Sequence, residues 1–372
     1  MEKAIKKVKT VPFHIVKRDP MAWYYNLLVR AGAVIAALLV SAVFITLMTQ
    51  KNPIEVYASM IDGAFGIKTN NPDLRSLRIW SLLQNVAILL CISLAVTPAF
   101  KMRFWNCGAE GQVLVGGLAT VMVMMFLGDK LSMPVLIIVM ILASVIAGII
   151  WAVLPAVFKA LWNTNETLFT LMMNYVAIQL VAFFLKYFVK SGSGVLSPMP
   201  QFGLPRIAGK DYLLNIIIVA VITILVYIYL KFTKQGYEIS VVGESENTAK
   251  YIGINVKKVI IRTLIVSGAI CGIAGLLLVG GTNHTISTTT AGGRGFTAIM
   301  VSWLAKFDPL YMVFTTFLIV FFDIGAQQVS TDFRIPNAIS DIVTGIILFF
   351  IIGCEFFLQY KIVLNKNRKE NA

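Results

Sequence analysis

Glu110 stands at the head of more than a dozen residues that carry no other charge. It belongs to the run Asn106-Cys107-Gly108-Ala109-Glu110-Gly111-Gln112, and Gly116 and Gly117 follow shortly after. A carboxylate in or beside hydrocarbon needs a partner or water. The glycines allow a backbone break or very close helix packing. Two readings fit: Glu110, with Asn106 and Gln112, lines a polar path, or it caps the start of a helix. Asn174, in Met172-Met173-Asn174-Tyr175, poses the same problem. It lies about two turns inside an apolar stretch that Asn163 or Thr164 can cap and Glu166 can begin. Its amide must bond a neighbouring helix or a polar solute. Asn85 and Gln179 are further amides of this kind, and Tyr175 and Trp105 offer aromatic surface. Arg294, in Gly292-Gly293-Arg294-Gly295-Phe296, precedes another apolar segment. It either faces the path or snorkels to lipid headgroups.

These residues do not make a catalytic set. There is no His-Glu-x-x-His or Gly-x-Ser-x-Gly, and the glycine-rich stretch around Arg294 lacks the Lys-Ser/Thr of a phosphate loop. Cys91, Cys107, Cys271 and Cys354 are far apart and read as small buried apolar residues. With only His14 and His284 besides, no metal-ligand spacing arises. The chain itself is expected to make and break no bonds and to hold no metal or cofactor.

A different kind of segment lies at residues 243–254, which include Gly243, Glu244, Asn247, Ala249, Tyr251 and Gly253. Residues 245–251 predict a short amphipathic helix, with Ser245 or Glu244 near its cap and Gly253 ending it. It is too polar to cross lipid. It is therefore an interfacial spacer or a docking surface, with Ala249, Ile252 and Ile254 offering apolar contact around Tyr251.

The elements that must carry these residues are membrane helices. Hydrophobic residues make up 58% of the 372 and charged ones 13%, about half the share in a soluble domain. A helix needs about 20 mostly apolar residues to span. The pattern predicts an all-α polytopic membrane protein of about ten spans: 27–49, 79–98, 111–127, 134–157, 164–188, 212–230, 259–281, 295–304, 310–330 and 337–360. The third and eighth are weak and rich in glycine. Such segments are broken or re-entrant only where protein or water covers the backbone. The first apolar run is too long for a secretory signal. Residues 1–26 and 361–372 are expected to be cytoplasmic tails, 236–258 a cytoplasmic segment, and 50–78 and 189–211 external loops. Residues 54–65 suggest an interfacial helix limited by Gly63 and Gly66. With both ends inside, about two in three of the 32 Lys and Arg fall on the cytoplasmic side, as the positive-inside rule asks. The net charge of +14 is thus accounted for without nucleic acid.

Taken in order, these segments resemble the permease subunit of bacterial ATP-binding-cassette importers of the ribose and branched-chain amino acid type. The likeness is greatest to the subgroup of nucleoside and simple-sugar uptake and runs over about 27–360. Residues 106–112 resemble the family's Asn-Ile-Gly-x-Glu-Gly-Gln element. Asn165-Glu166-Thr167 with 172–175, the cytoplasmic 243–254, and Gly-Arg-Gly-Phe at 293–296 resemble three others. Ser245-Glu246 replaces the usual Asn-Pro, and Cys107 an Ile. The resemblance implies a membrane half that moves nucleosides by alternating access, or a simple sugar through the same architecture. It implies a second, homologous permease (a heterodimer), two cytoplasmic ATPase subunits that use ATP and Mg, and an extracytoplasmic solute-binding lipoprotein. Asn174, Tyr175, Asn106, Glu110, Gln112, Asn85 and Arg294 would line the pathway. Gly243, Glu244, Asn247, Ala249, Tyr251 and Gly253 would receive the ATPase. An ion-coupled secondary transporter is the competing class, but no pair of buried carboxylates suits proton coupling.

Overall fold

Long apolar runs separated by Pro, Asn and Gly can satisfy their backbone in lipid only as helices. A computed structural model of the chain describes residues 13–18, 23–68, 71–189, 196–207 and 212–364. The expected loop residues 190–195 and most of the two tails lie outside them. The elements are β1 (Phe13–Lys17), α1 (Trp23–Thr49), α2 (Pro53–Phe65), α3 (Pro72–Lys101), α4 (Ala109–Leu127), α5 (Met133–Trp162), α6 (Glu166–Phe188) and α7 (Leu213–Phe232). They continue with α8 (Lys234–Glu244), α9 (Glu246–Tyr251), α10 (Val256–Leu278), α11 (Arg294–Leu304), α12 (Pro309–Phe333), α13 (Asn337–Gln359) and β2 (Tyr360–Leu364).

Among the described residues, nine helices are long and apolar enough to cross a membrane. This is a multi-pass membrane protein. The eighth expected segment is short and broken, as its weak apolar pattern suggests. α11 has 11 residues, about 16 Å at 1.5 Å per residue, and the hydrocarbon core is about 30 Å thick. A non-helical stretch, 284–293, precedes it. Loop and half-helix together replace one continuous span. Arg294 therefore starts a helix in place of ending a loop, which the glycines on either side of it permit.

The fold comprises two compact units. Met1–Ile67 and Phe322–Ala372 form one. In it β1 pairs antiparallel with β2, Phe13 opposite Leu364 and Lys17 opposite Tyr360. Since β1 precedes α1 and β2 continues from α13, this pairing puts both ends of the membrane region on one side, as an even number of crossings requires. α2 is short, as expected. Asn52 caps it through the Ile54 N–H, and Gly66, at φ 64°, ends it. Gly63 does not end it: a Cβ there would run into the Gln328 side chain of α12. Arg30 of α1 bonds Glu355 of α13 at 2.6 Å.

The second unit, Lys68–Phe321, carries the candidate site. Its inner layer is α3, α4 and α10, buried over 72%, 61% and 78% of their apolar windows; α5, α6 and α7 are buried over only about a third. Small residues set the inner packing, as in other membrane helices. A Cβ on Gly272 of α10 would meet the Ser144 carbonyl of α5, and one on Gly116 of α4 would lie 2.8 Å from the Gly272 Cα. α5 ends at Asn163 in the left-handed region, φ 51°, and Asn165, rather than Asn163 or Thr164, caps α6 by accepting from the Leu168 N–H at 3.2 Å. Glu166 follows in the first turn and pairs with Lys159 at 3.0 Å.

Candidate translocation site and coupling surface

Glu110 enters in the first turn of α4, at a bend that starts after α3. Its carboxylate accepts two backbone N–H groups from another part of the chain: Oε1 from Gly293 and Oε2 from Gly295, both at 2.7 Å. These are free N–H groups at the start of α11, where the helix dipole favours negative charge. Gly292 and Gly293 turn the chain into that start with φ of 61° and 75°. Gly295 must lack a side chain because a Cβ would strike the Glu110 backbone. Glu110 thus caps the start of α11, a helix distant in sequence, and not that of its own helix α4.

The bend that presents Glu110 is itself held by the other polar residues. Asn106 is fully buried; its Oδ1 accepts from the Gly108 N–H and the Gln112 amide, and its amide donates to Ser267 of α10. Asn174 of α6 accepts from the Gly111 N–H at 2.9 Å and donates to the Cys107 carbonyl at 2.8 Å. Its amide is engaged with backbone, and it is 4% exposed. Tyr175, one residue on, is turned outward and exposed.

Between Gly293 and Gly295 stands Arg294, and here the scaffold meets open space. A polar cavity of about 300 Å³ lies between α3, the Tyr212 end of α7, the end of α10 and the 287–294 segment. Arg294 lines it and donates to Asn85 Oδ1 at 3.1 Å, while the Asn85 amide donates back to the Ser81 carbonyl. Of the seven expected pathway residues, Asn85 and Arg294 line this cavity. Glu110 holds the residues flanking Arg294, Asn106, Gln112 and Asn174 fasten the bend behind it, and Tyr175 takes no part.

Gln84 also lines the cavity, and sequence reasoning missed it. It is 3% exposed; its amide donates to Thr282 at 2.5 Å, and its Oε1 has no partner. A buried acceptor left unmade costs on the order of 1–3 kcal/mol. The signal was available: Ser81, Gln84, Asn85 and Ile88 recur at helical spacing and share one face of α3. Thr282 belongs to a single π-helical turn, Val279–Asn283, that ends α10. Such turns are frequent at functional sites. Asn215 of α7, also buried with its amide unpartnered, lies against Gly281 of that turn.

The opposite end of this unit carries α8 and α9. Ser245 caps α9 by accepting from the Thr248 N–H, and Gly253, at φ 84°, follows its end, as the sequence suggests. α8 is fixed to the inner layer. Gly243 is buried against the Lys101 carbonyl of α3, where a Cβ would collide, and Glu238 pairs with Arg262 of α10 at 2.8 Å. Glu244, Asn247, Tyr251 and Gly253 are exposed, Tyr251 to 93%. Ala249 is not: it is fully buried within the chain, so the expectation that it offers a contact to a partner is corrected. In a six-residue helix the face turned inward is set by α8 and α10, which the local sequence does not encode. Beside α8 a second cavity, about 460 Å³, is lined by Lys101, Arg103, Trp105 and Trp303, with the two indoles stacked at 5.6 Å. At this end Lys231 pairs with Asp308 at 2.8 Å. Burial works to raise the Asp308 carboxyl, but the Lys231 ammonium and the Leu310 and Tyr311 N–H groups hold it below its ordinary value.

Residues 78–352, which contain both the cavity and the α8–α9 surface, match the family described as branched-chain amino acid transport system / permease component. The chain belongs to this permease family. It is similar to the guanosine ABC transporter permease protein NupP of Bacillus subtilis, 26% identical over 93% of this chain and 98% of that one. The nucleoside ABC transporter permease protein NupB of Lactococcus lactis is 26% identical over 90% and 92% of the two chains. The glucose ABC transporter permease protein TsgB13 of Haloferax volcanii is 26% identical over 76% of this chain and 78% of its own.

Proposed function

We propose that this permease forms the membrane path through which an ATP-driven importer takes up nucleosides. The observation that carries it is the pairing of a polar cavity at one end of the second unit with the exposed α8–α9 surface at the other, joined by direct contacts. α8 rests on the end of α3; the bend after α3 presents Glu110; Glu110 holds the start of α11; Arg294 at that start lines the cavity. ATP and Mg would be bound by a pair of separate cytoplasmic ATPase subunits seated on Tyr251, Asn247 and Glu244. Their closure would bias the permease between two arrangements in which the cavity opens to opposite sides. A second, homologous permease would complete the path, and a solute-binding lipoprotein would load it from outside. The tails and α8–α9 would face the cytoplasm.

Nucleosides are preferred because relatives named for guanosine and nucleosides match nearly the whole chain. Import of a simple sugar is the second reading, favoured by the glucose permease relative and by the hydroxyl groups around the cavity. Uptake of labelled nucleosides and labelled sugars, in cells that make the complete set of subunits, decides between them. Saturable nucleoside uptake that sugars do not compete supports the first. Sugar uptake without nucleoside uptake replaces it with the second.

A further inference from the structure

Among the described residues that line the cavity, Gln84 has a buried side-chain oxygen with no hydrogen-bond partner. Its amide nitrogen donates to Thr282 Oγ1. The Thr282 hydroxyl in turn donates to the Leu277 carbonyl at 3.2 Å. With that hydrogen directed to Leu277, the nitrogen of Gln84 faces the hydroxyl and its oxygen is left without a partner. The orphan on Gln84 is therefore an acceptor. Arg294 offers donors only, and Asn85 Oδ1 fixes its guanidinium. A solute that bonds both residues would present a donor to Gln84 and an acceptor to Arg294 within one small region. A hydroxyl does both.

The remaining walls point the same way. Ser287, Thr289 and Thr290 add hydroxyls, and Tyr212 is the one aromatic among the described lining residues. A nucleobase calls for flat aromatic surface, whereas a polyhydroxylated ring calls for hydrogen-bonding groups.

We propose that Gln84 is a specificity residue, and that with Arg294 it binds the hydroxylated sugar ring of the solute. This rests on the importer reading above. The ring chemistry is common to a nucleoside's ribose and to a free sugar, and the arms of the test separate them.

The test measures uptake in cells expressing all subunits, with wild type, Gln84→Met and Gln84→Asn. Each strain receives a labelled ribonucleoside, its 2′- and 3′-deoxy analogues, a base-modified ribonucleoside, and a free sugar with its deoxy analogues. The binding protein is the same throughout, so its own preferences cancel when strains are compared. Gln84→Met should lower uptake of the fully hydroxylated solute about three- to tenfold, the size expected for one lost hydrogen bond. The deoxy analogue at the contacted position should fall much less, so the ratio between them moves toward one. Base modification should affect all strains alike. Gln84→Asn keeps a polar amide but withdraws it by one methylene; it should move the ratio similarly, and gives the answer if the Met variant does not reach the membrane. An unchanged ratio in a well-expressed variant overturns the proposal and leaves the importer reading standing. A changed base preference overturns the sugar-ring assignment. Wild-type cells that take up neither nucleosides nor sugars overturn both.

Discussion

Two glycine N–H groups and one carboxylate hold the start of α11, and removing half of that contact is a sharp test. Glu110→Gln keeps the shape but turns one acceptor into an NH₂ group facing a backbone N–H. Hydrogen bonds to charged groups are worth about 1.5–3 kcal/mol each. We expect uptake to fall at least tenfold at an unchanged membrane level, with Glu110→Ala worse; normal uptake by both would show that the contact is dispensable. Asn174→Leu is expected to act differently. Both ends of its amide bind the backbone of the Cys107–Gly111 bend, so stability should suffer first. A thermal melt of the purified protein should shift down, by an amount matching about 1–3 kcal/mol, and uptake should fall in proportion to lost protein. Loss of uptake at full stability would instead restore Asn174 to the pathway. The sequence showed that Glu110 and Asn174 each needed a partner, because an isolated carboxylate or amide is costly in apolar surroundings. It could not name the partners, which are backbone groups 183 and 63 residues away. Gln84 was legible from the spacing of Ser81, Asn85 and Ile88, but its unfilled acceptor exists only once Thr282 is placed beside it.

At the scale of elements, α9 separates anchor from surface. Ala249→Glu would force a carboxylate into a site with no room for it and no partner, at a cost of several kcal/mol. The variant should lose the α8–α9 fold, seen as faster limited proteolysis within 234–258. Tyr251→Ala removes only an exposed ring. It should leave proteolysis unchanged and weaken co-purification of the ATPase, together with solute-stimulated ATP hydrolysis. If Tyr251→Ala keeps full ATPase binding, the surface is not centred on Tyr251. The long helices were readable because twenty apolar residues in lipid have few alternatives. α11 was legible only as a weak, short segment, because its few apolar residues follow a polar, glycine-rich loop. Its start at Arg294 depends on Glu110, and so on tertiary structure.

Across the whole molecule, the orientation argued from Lys and Arg yields a simple measurement. In a cysteine-free background, Asp129→Cys in the α4–α5 loop should react with an impermeant thiol reagent added outside intact cells, and Asn247→Cys should react only after the membrane is opened. The reverse pattern would invert the protein in its membrane. The composition of the first unit has another consequence, for the order of synthesis. The ribosome delivers α1 and α2 early, yet Arg30 meets Glu355, and β1 meets β2, only when the last helix emerges. Until α13 is made, Arg30 of α1 has no Glu355 to pair with. A chain cut short anywhere before α13 therefore differs from the finished one in two defined places, an arginine without Glu355 and a strand without β2.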